Sequence, residues 1–194
     1  MEIGATKAVQ DRLKTTKIEE SKGASLVFCW DTHLTKIKGR NVLFIVNASN
    51  RYTIAMTDIE PRNWNYYTMY IRSVIHGVMQ EMGYSEDQIG QYFKMSGDTT
   101  VTKTHGRKSV GGINRMVMDA QYFGKKLEKE AKYQWELSEY LNRDICQPEG
   151  FDAYGYPSEL FKLDMERLGI VAKRKPAKVI DFSQYIESNR GTNH

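Results

Sequence analysis

Three runs of strand-forming residues between positions 25 and 57, of which the first and third alternate, are the strongest constraint on the fold. Leu26, Phe28 and Trp30 recur at every second position of the first run, and this two-residue period places their side chains on one face of a β-strand. Gly39 and Asn50, which tolerate positive φ, lie in the turns that separate the runs. The pattern predicts an antiparallel β-meander with strands near 25–37, 41–47 and 51–57.

Helical periodicity predominates after the meander. Apolar residues recur at three- and four-residue steps from about 63 to 82 and from about 110 to 143, where we expect one long helix. Residues 98–104 alternate and predict a short strand. The fold class is therefore α+β, with a small antiparallel β-meander packed against helices and a C-terminal arm. Shorter helices are expected near 5–14, 85–95 and 158–168.

Composition changes near residue 146, and this change sets the expected domain organisation. Residues 1–145 carry the sheet and helix patterns and are predicted to form one α+β domain. Residues 146–170 include QPEGFDAYGYPSEL, a segment with two prolines and two glycines, and are predicted to form a linker and a short helix. Residues 171–194 are rich in Lys and Arg and are predicted to form a basic C-terminal arm.

Composition also argues against several classes of protein. The chain has no apolar run of membrane-spanning length and no apolar signal segment near its N-terminus, so we expect a cytoplasmic protein without a membrane partner. The two cysteines, Cys29 and Cys146, and the four histidines lack metal-ligand spacing, so the sequence predicts no metal and no cofactor. A net charge of +4 allows an acidic partner but is small for a dedicated nucleic-acid binder.

The stretch VTKTHGRKSVGGINRMVMDA, residues 101–120, is the main candidate for a ligand site. A glycine-containing turn before a helix can bind an anion, because unpaired backbone amides and the helix dipole converge there. The stretch lacks the Walker spacing and the dinucleotide fingerprint, so we favour a structural alternative in which Ser109 caps the helix and Gly111 and Gly112 serve packing. The candidate contacts to an anion or to nucleic acid are Lys103, His105, Arg107, Lys108 and Ser109.

The same residues carry a resemblance to a known family. The Lys-Thr pair at Lys103, the RKSVG step from Arg107 and the INRM helix start, together with ATKAVQDRL and the LFIVN strand, resemble a family of small bacterial and phage domains of unknown function. The resemblance covers about residues 3–125. It implies an α+β architecture, and it supplies no catalytic residues because the family has no known activity.

Asp31 and His33 are the remaining candidates for acid–base chemistry. They share one face of a predicted strand, and an aspartate beside a histidine can orient the imidazole. No nucleophile or third partner accompanies them, so we interpret them as the polar end of a strand and predict no catalytic residue.

Exposed aromatic and basic residues are the candidates for partner binding. Trp and Tyr contribute much of the energy of protein interfaces, and a basic cluster attracts an acidic partner from a distance. One group lies at the helix start after Pro61, and the other lies in the C-terminal arm. The candidates are Trp64, Tyr66, Lys173, Arg174, Lys175, Lys178, Phe182 and Tyr185.

These observations lead to one functional hypothesis and two alternatives. The hypothesis is a non-catalytic interaction protein of a phage or mobile element, which binds another macromolecule, a protein or a nucleoprotein, and inhibits nucleic-acid-handling or host-defence machinery as an anti-CRISPR protein does. The first alternative is an enzyme or a nucleotide- or phosphate-binding domain that uses the Thr100–Ser109 loop. The second alternative is direct nucleic-acid binding. The arm also allows a homodimer contact.

Overall fold

A five-stranded mixed sheet organises residues 1–15 and 18–173, the part of the chain that the computed structural model describes. The spatial order of the strands is β4-β3-β2-β1-β5. β2, β3 and β4 pair antiparallel and form the expected meander, whereas β1 pairs in parallel with both β2 and β5. In chain order the strands are β1 (Glu2–Ala5), β2 (Cys29–Ile37), β3 (Arg40–Asn47), β4 (Thr53–Thr57) and β5 (Thr100–Thr102).

The helices connect these strands and cover both faces of the sheet. A capping box begins α4 as the sequence predicts, because the Gln88 backbone N–H donates to Ser85 Oγ at 3.3 Å and the Ser85 N–H donates to Gln88 Oε1 at 2.9 Å. No helix in the described residues is long and apolar enough to cross a bilayer. The helices are α1 (Lys7–Leu13), α2 (Pro61–Asn65), α3 (Tyr67–Glu81), α4 (Glu86–Ser96), α5 (Gly106–Gln121), α6 (Trp135–Asn142) and α7 (Pro157–Arg167).

The expected single long helix near 110–143 is wrong. α5 and α6 are separate helices, and the residues between them, 122–134, pass along the outer edge of β4. The Thr57 backbone N–H there donates to the Lys132 carbonyl at 2.8 Å. A continuous helix would use its carbonyls internally and could not make this bond.

The outward backbone groups of β4 explain why the helix is interrupted. A buried N–H or C=O without a partner costs free energy, so the edge of a covered strand needs hydrogen bonds. Asn142 Oδ1 accepts from the Thr53 N–H and its Nδ2 donates to the Thr53 carbonyl, both at 2.8 Å. Ser138 Oγ accepts from the Ala55 N–H at 3.0 Å. α6 therefore begins where its polar side chains can reach the strand.

Two apolar cores lie on opposite faces of the sheet. On one face, Trp30 and Ile54 pack with residues from α3, α4 and α7, including Phe161, which is 1% exposed. On the other face, Phe44 packs with residues from α5 and α6, including Met116. Because both faces of the sheet are buried, its strands have fixed positions, and so do the side chains and loops at its edges.

The segment 146–170 contributes to the first of these cores. The Phe161 ring lies 6.1 Å from the Trp30 ring and 5.3 Å from the Tyr52 ring, measured between centroids. Met165 and Ile170 are also buried in this core. The last helix thus packs on the sheet through the same apolar cluster as α3 and α4.

Gly111 and Gly112 do not serve packing, which contradicts the sequence-based expectation. Both lie within α5, and a Cβ added at Gly111 would meet open space, whereas one at Gly112 would only touch Arg51 at 3.6 Å. Gly4 in β1 is different, because a Cβ there would lie 1.8 Å from Asp31 Oδ1. The close contact between a glycine backbone and a neighbouring side chain is therefore the one between Gly4 and Asp31.

We expect Gly111→Ala to raise the free energy of unfolding by about 0.5–1 kcal/mol, since glycine within a helix carries an entropic cost that alanine does not. Gly4→Ala should lower it by about 1–3 kcal/mol, because the Asp31 carboxylate must move. Urea denaturation of the two variants measures both effects. A destabilised Gly111→Ala variant would contradict this account of α5.

Candidate functional site

A buried cluster of charged side chains lies where β5 leads into α5. His105 Nδ1 lies 2.7 Å from Asp31 Oδ1, and His105 Nε2 lies 3.0 Å from Glu2 Oε2. The side chains of His105, Asp31 and Glu2 are 3%, 0% and 5% exposed. The imidazole ring is thus held between two carboxyl groups inside the protein.

The strand order of the sheet and two glycines bring these residues together. β1 lies between β2 and β5, and Gly4 is opposite Asp31 in the register. Because Gly4 has no Cβ, the Asp31 side chain can pass over the β1 backbone toward Thr104 and His105. Gly106 has φ +86°, a conformation that glycine adopts readily, and it turns the chain into α5 directly after His105.

Asp31 occupies the N-terminus of α5. The His105 backbone N–H lies 3.2 Å from both carboxylate oxygens, and the Ser109 hydroxyl donates to Asp31 Oδ2. A carboxylate at this position is favourable, because the first N–H groups of a helix are unpaired and the helix dipole is positive there. A carboxylate of the protein itself therefore lies at the helix start where the sequence predicts an anion site.

The environment of the cluster shifts two pKa values. Burial alone lowers the pKa of His105, but hydrogen bonds with Asp31 and Cys29 and the charge of Asp31 outweigh burial and raise it to about 10. Burial also raises the pKa of Glu2, yet hydrogen bonds from Ser21, from the Lys22 backbone N–H and from His105 bring it below its ordinary value. His105 is therefore a buried imidazolium at neutral pH, paired with carboxylates.

The five candidate anion contacts fall into two groups. His105 and Ser109 join the buried cluster, whereas Lys103, Arg107 and Lys108 are exposed. The expectation that Ser109 caps the helix is wrong, because His105 holds the N-cap position and Ser109 lies inside α5. The helix begins earlier than expected, and the N–H of its N-cap residue His105 donates to a carboxylate from β2 rather than to a nearby hydroxyl.

Asp31 and His33 do not form a pair. Asp31 is fully buried within the sheet, which contradicts its interpretation as the polar end of a strand. His33 is half-buried, with Nδ1 3.2 Å from the Thr6 hydroxyl, and burial lowers its pKa. The histidine that pairs with Asp31 is His105, a residue of the Thr100–Ser109 loop that the sequence predicts as an anion contact.

The candidate partner-binding residues occupy different environments. Trp64 is half-buried, because its ring stacks on Tyr67 at a centroid distance of 5.6 Å and the Arg12 guanidinium lies 5.5 Å from the ring centroid. Tyr66 is 66% exposed, and Lys173 is exposed. The remaining candidates, which lie outside the described residues, are Arg174, Lys175, Lys178, Phe182 and Tyr185.

Glu2 and Cys29 belong to this site, although the sequence analysis assigned them no role. They are opposite each other in the register of β1 and β2, and both are buried. Spacing along the chain cannot relate them to His105, which is 103 positions from Glu2. The sequence signal is limited to an acidic residue within a short apolar strand, and its burial is evident only from the structure.

A second feature is a concave surface formed mainly by α6, which we call the α6 surface. It contains two adjoining cavities of about 490 and 340 Å³ that share Trp135, Glu139 and Arg143. Trp135 and Tyr140 are each 43% exposed there. The larger cavity is lined by Asp119, Phe123, Lys125, Trp135, Glu136, Glu139, Tyr140, Leu141, Arg143 and Asp144.

Comparison with protein families gives a match over most of the chain. The sequence model of a family described as a domain of unknown function matches residues 2–160, a span that contains the buried cluster and α6. The chain belongs to the DUF6933 family. The match reaches beyond residue 125, where the resemblance noted in the sequence ends, and the DUF6933 span stops just before Phe161. No curated protein and no solved structure matches the chain.

The raised pKa of His105 predicts a pH-dependent stability of this DUF6933 protein. Because the folded pKa of about 10 exceeds the ordinary value of 6.5, the stabilisation is complete below pH 6.5 and is lost as the pH rises through about 10. The difference in unfolding free energy between wild type and His105→Gln should therefore shrink between about pH 6.5 and about pH 10.

Urea denaturation in chelator-containing buffer measures this difference. His33→Gln is the matched control, because His33 has no carboxylate partner among its hydrogen bonds and its pKa is lowered. Its difference from wild type should stay level over the same range. A constant difference for His105→Gln would rule out the ion-paired state.

Proposed function

We propose that this protein is a non-catalytic binding protein that engages another protein through the α6 surface. The observation that carries the proposal is the position of the Asp31 carboxylate at the N-terminus of α5. It binds the His105 N–H and ring and the Ser109 hydroxyl, which are groups that a bound phosphate or an enzyme in this region would use.

The burial of the charged cluster argues against the enzyme alternative. A general acid or base must come within about 3 Å of its substrate, either directly or through a water molecule. The side chains of Glu2, Asp31 and His105 are at most 5% exposed, and each is hydrogen-bonded to another member of the cluster or to the backbone nearby. A strongly shifted pKa here has a structural cause, since ion pairs inside a fold shift pKa values as active sites do.

The α6 surface has the properties of a protein interface. The Trp135 ring packs edge-on against Tyr133 at 5.9 Å, and the Tyr140 ring lies 5.4 Å from Phe123. These contacts hold both exposed rings in fixed orientations, so little side-chain entropy is lost on binding. Trp, Tyr and Arg are the residues most often found at energetic centres of interfaces, and Arg143 lies between the two cavities.

Charge at the α6 surface favours a protein over nucleic acid. Four acidic and two basic residues line the larger cavity, and the smaller cavity adds one further basic residue, Lys162. Phosphate backbones bind to clusters of Lys and Arg, whereas on this surface the acidic residues outnumber the basic ones. The partner that fits is a protein segment with an apolar anchor and basic neighbours. Its identity as host-defence or nucleic-acid-handling machinery, inhibited by a phage or mobile-element protein, stays a prediction.

Replacement of Trp135 tests the proposal. Trp135→Ala should weaken binding of the partner at least 30-fold, since truncation of a central aromatic residue costs about 2 kcal/mol or more. Wild type, Trp135→Ala and Tyr66→Ala are compared by affinity capture from the native host, and the captured protein is then purified and titrated. Tyr66→Ala is the control, because Tyr66 is exposed but lies outside the α6 surface.

The expected result is loss of binding for Trp135→Ala and retention for Tyr66→Ala, with all three proteins equally folded by circular dichroism. The proposal fails if the purified partner binds wild type and Trp135→Ala with equal affinity. It also fails if binding depends on Tyr66 alone, which would place the interface at α2 and α3.

A second measurement addresses the phosphate-binding alternative. Because Asp31 already occupies the N-terminus of α5, inorganic phosphate and nucleoside triphosphates should leave the thermal midpoint unchanged at equal ionic strength. Matched concentrations of sodium chloride provide the control. A midpoint that rises with phosphate concentration beyond this control would revive the nucleotide-binding alternative.

A further inference from the structure

Three side chains with metal-ligating atoms meet inside the protein. Glu2, Cys29 and His105 each offer one ligand atom, and these atoms lie within 4.8 Å of one another. All three residues are buried. A carboxylate oxygen, a thiolate sulfur and an imidazole nitrogen are the ligand types that bind Zn²⁺ in proteins. We propose that this cluster, which we call the Glu–Cys–His centre, binds one Zn²⁺ or a similar first-row transition-metal ion.

The backbone of the centre is held by the sheet. Glu2 pairs with Cys29 on one side of β1 and with Thr100 on the other side. Thr100 begins β5, and this strand leads directly to His105 at the start of α5. Two of the ligands therefore lie on neighbouring strands, and the third is fixed by the helix N-terminus. Such positions keep ligand geometry better than mobile loops do.

Hydrogen bonds to other groups leave His105 Nε2 and Glu2 Oε2 facing each other. Asp31 Oδ1 lies 2.7 Å from His105 Nδ1, so Nε2 is the ring nitrogen that faces Glu2. The Lys22 backbone N–H donates to Glu2 Oε1 at 2.8 Å, while Glu2 Oε2 faces the histidine. A carboxylate on the far nitrogen of a histidine is the usual outer partner of a metal ligand, because it fixes the ring and its tautomer.

The distances require little rearrangement. With bonds of about 2.0–2.2 Å, a tetrahedral zinc ion separates its nitrogen and oxygen ligands by roughly 3.3 Å. His105 Nε2 and Glu2 Oε2 are 3.0 Å apart, so this pair needs to open by only a few tenths of an ångström. The Cys29 thiol makes long contacts of 3.4 and 3.6 Å to the carbonyls of Ser25 and Ala24, and it also hydrogen-bonds with His105. Its sulfur therefore already lies beside another ligand of the proposed centre.

Metal binding would replace protons with a cation. The Cys29 thiol and the His105 Nε2–H each release a proton when these atoms become ligands. One divalent ion replaces these two protons, so the net charge of the centre does not change. The described residues supply three ligands, which leaves one coordination position for water. The ion would link β1, β2 and the start of α5, so its role is to stabilise the fold. The inference does not depend on the partner bound at the α6 surface.

Titration with Co²⁺ is the direct test, because cobalt occupies zinc sites and a thiolate ligand gives a charge-transfer absorption band. Untagged protein is stripped with a chelator under reducing conditions and titrated with Co²⁺ and then with Zn²⁺. We expect one equivalent of cobalt to bind with a thiolate band, and one equivalent of zinc to abolish that band. The thermal midpoint should rise with zinc concentration.

Variants identify the ligands. Cys29→Ser and His105→Gln should lose the thiolate band and bind zinc at least tenfold more weakly, whereas Cys146→Ser should retain both properties. Cys146 is the matched control, since it is the other buried free cysteine and it lies in a separate cluster with Phe151 and Leu160.

The inference is overturned if wild-type protein binds no stoichiometric metal or shows no thiolate band, whatever the variants do. It is also overturned if the band persists in Cys29→Ser or disappears in Cys146→Ser. If Cys29→Ser does not fold, the wild-type titration alone decides between the outcomes.

Discussion

The Asp31 carboxylate is the contact on which the arrangement of the described fold depends. It lies in the centre of the sheet, is fully buried and joins three parts of the chain at once. From β2 it passes over Gly4 of β1, accepts a hydrogen bond from the backbone N–H of His105 at the N-cap of α5, and pairs with the His105 ring. A buried carboxylate is stable only when its charge is matched and its oxygens are hydrogen-bonded, so these contacts are required rather than incidental.

The buried ion pair and the exposed α6 surface are separate parts of the molecule. The residues that most resemble an active site, two carboxylates and a histidine, hold the sheet and α5 together and are closed to solvent. The features open to solvent are aromatic rings and mixed charges beside α6. This separation supports the proposal that the protein acts by binding. A metal ion in the Glu–Cys–His centre would strengthen the same internal junction and would leave the outer surface unchanged.

Local signals in the sequence predict part of this fold. The meander and the Ser85–Gln88 capping box follow from residue period and short-range hydrogen bonds, and both are present. The break between α5 and α6 could not be predicted, because the apolar period continues through 122–134 and the cause is the hydrogen-bonding demand of β4. The pairing of Asp31 with His105 was equally hidden, since the two residues are 74 positions apart and nothing in a single sequence links them.

Both edges of the sheet are closed in the part of the chain that the structure describes. Beside β4, residues 122–134 and polar side chains of α6 accept and donate the outward hydrogen bonds. Beside the short β5, the Lys103 N–H donates to the Glu19 carbonyl at 2.9 Å, and Glu19 forms a bridge with Thr102. Neither edge offers a free row of backbone groups on which a foreign strand could pair. Recognition by strand addition, and self-association of the sheet into ribbons, are thereby both disfavoured, and specificity must come from side chains.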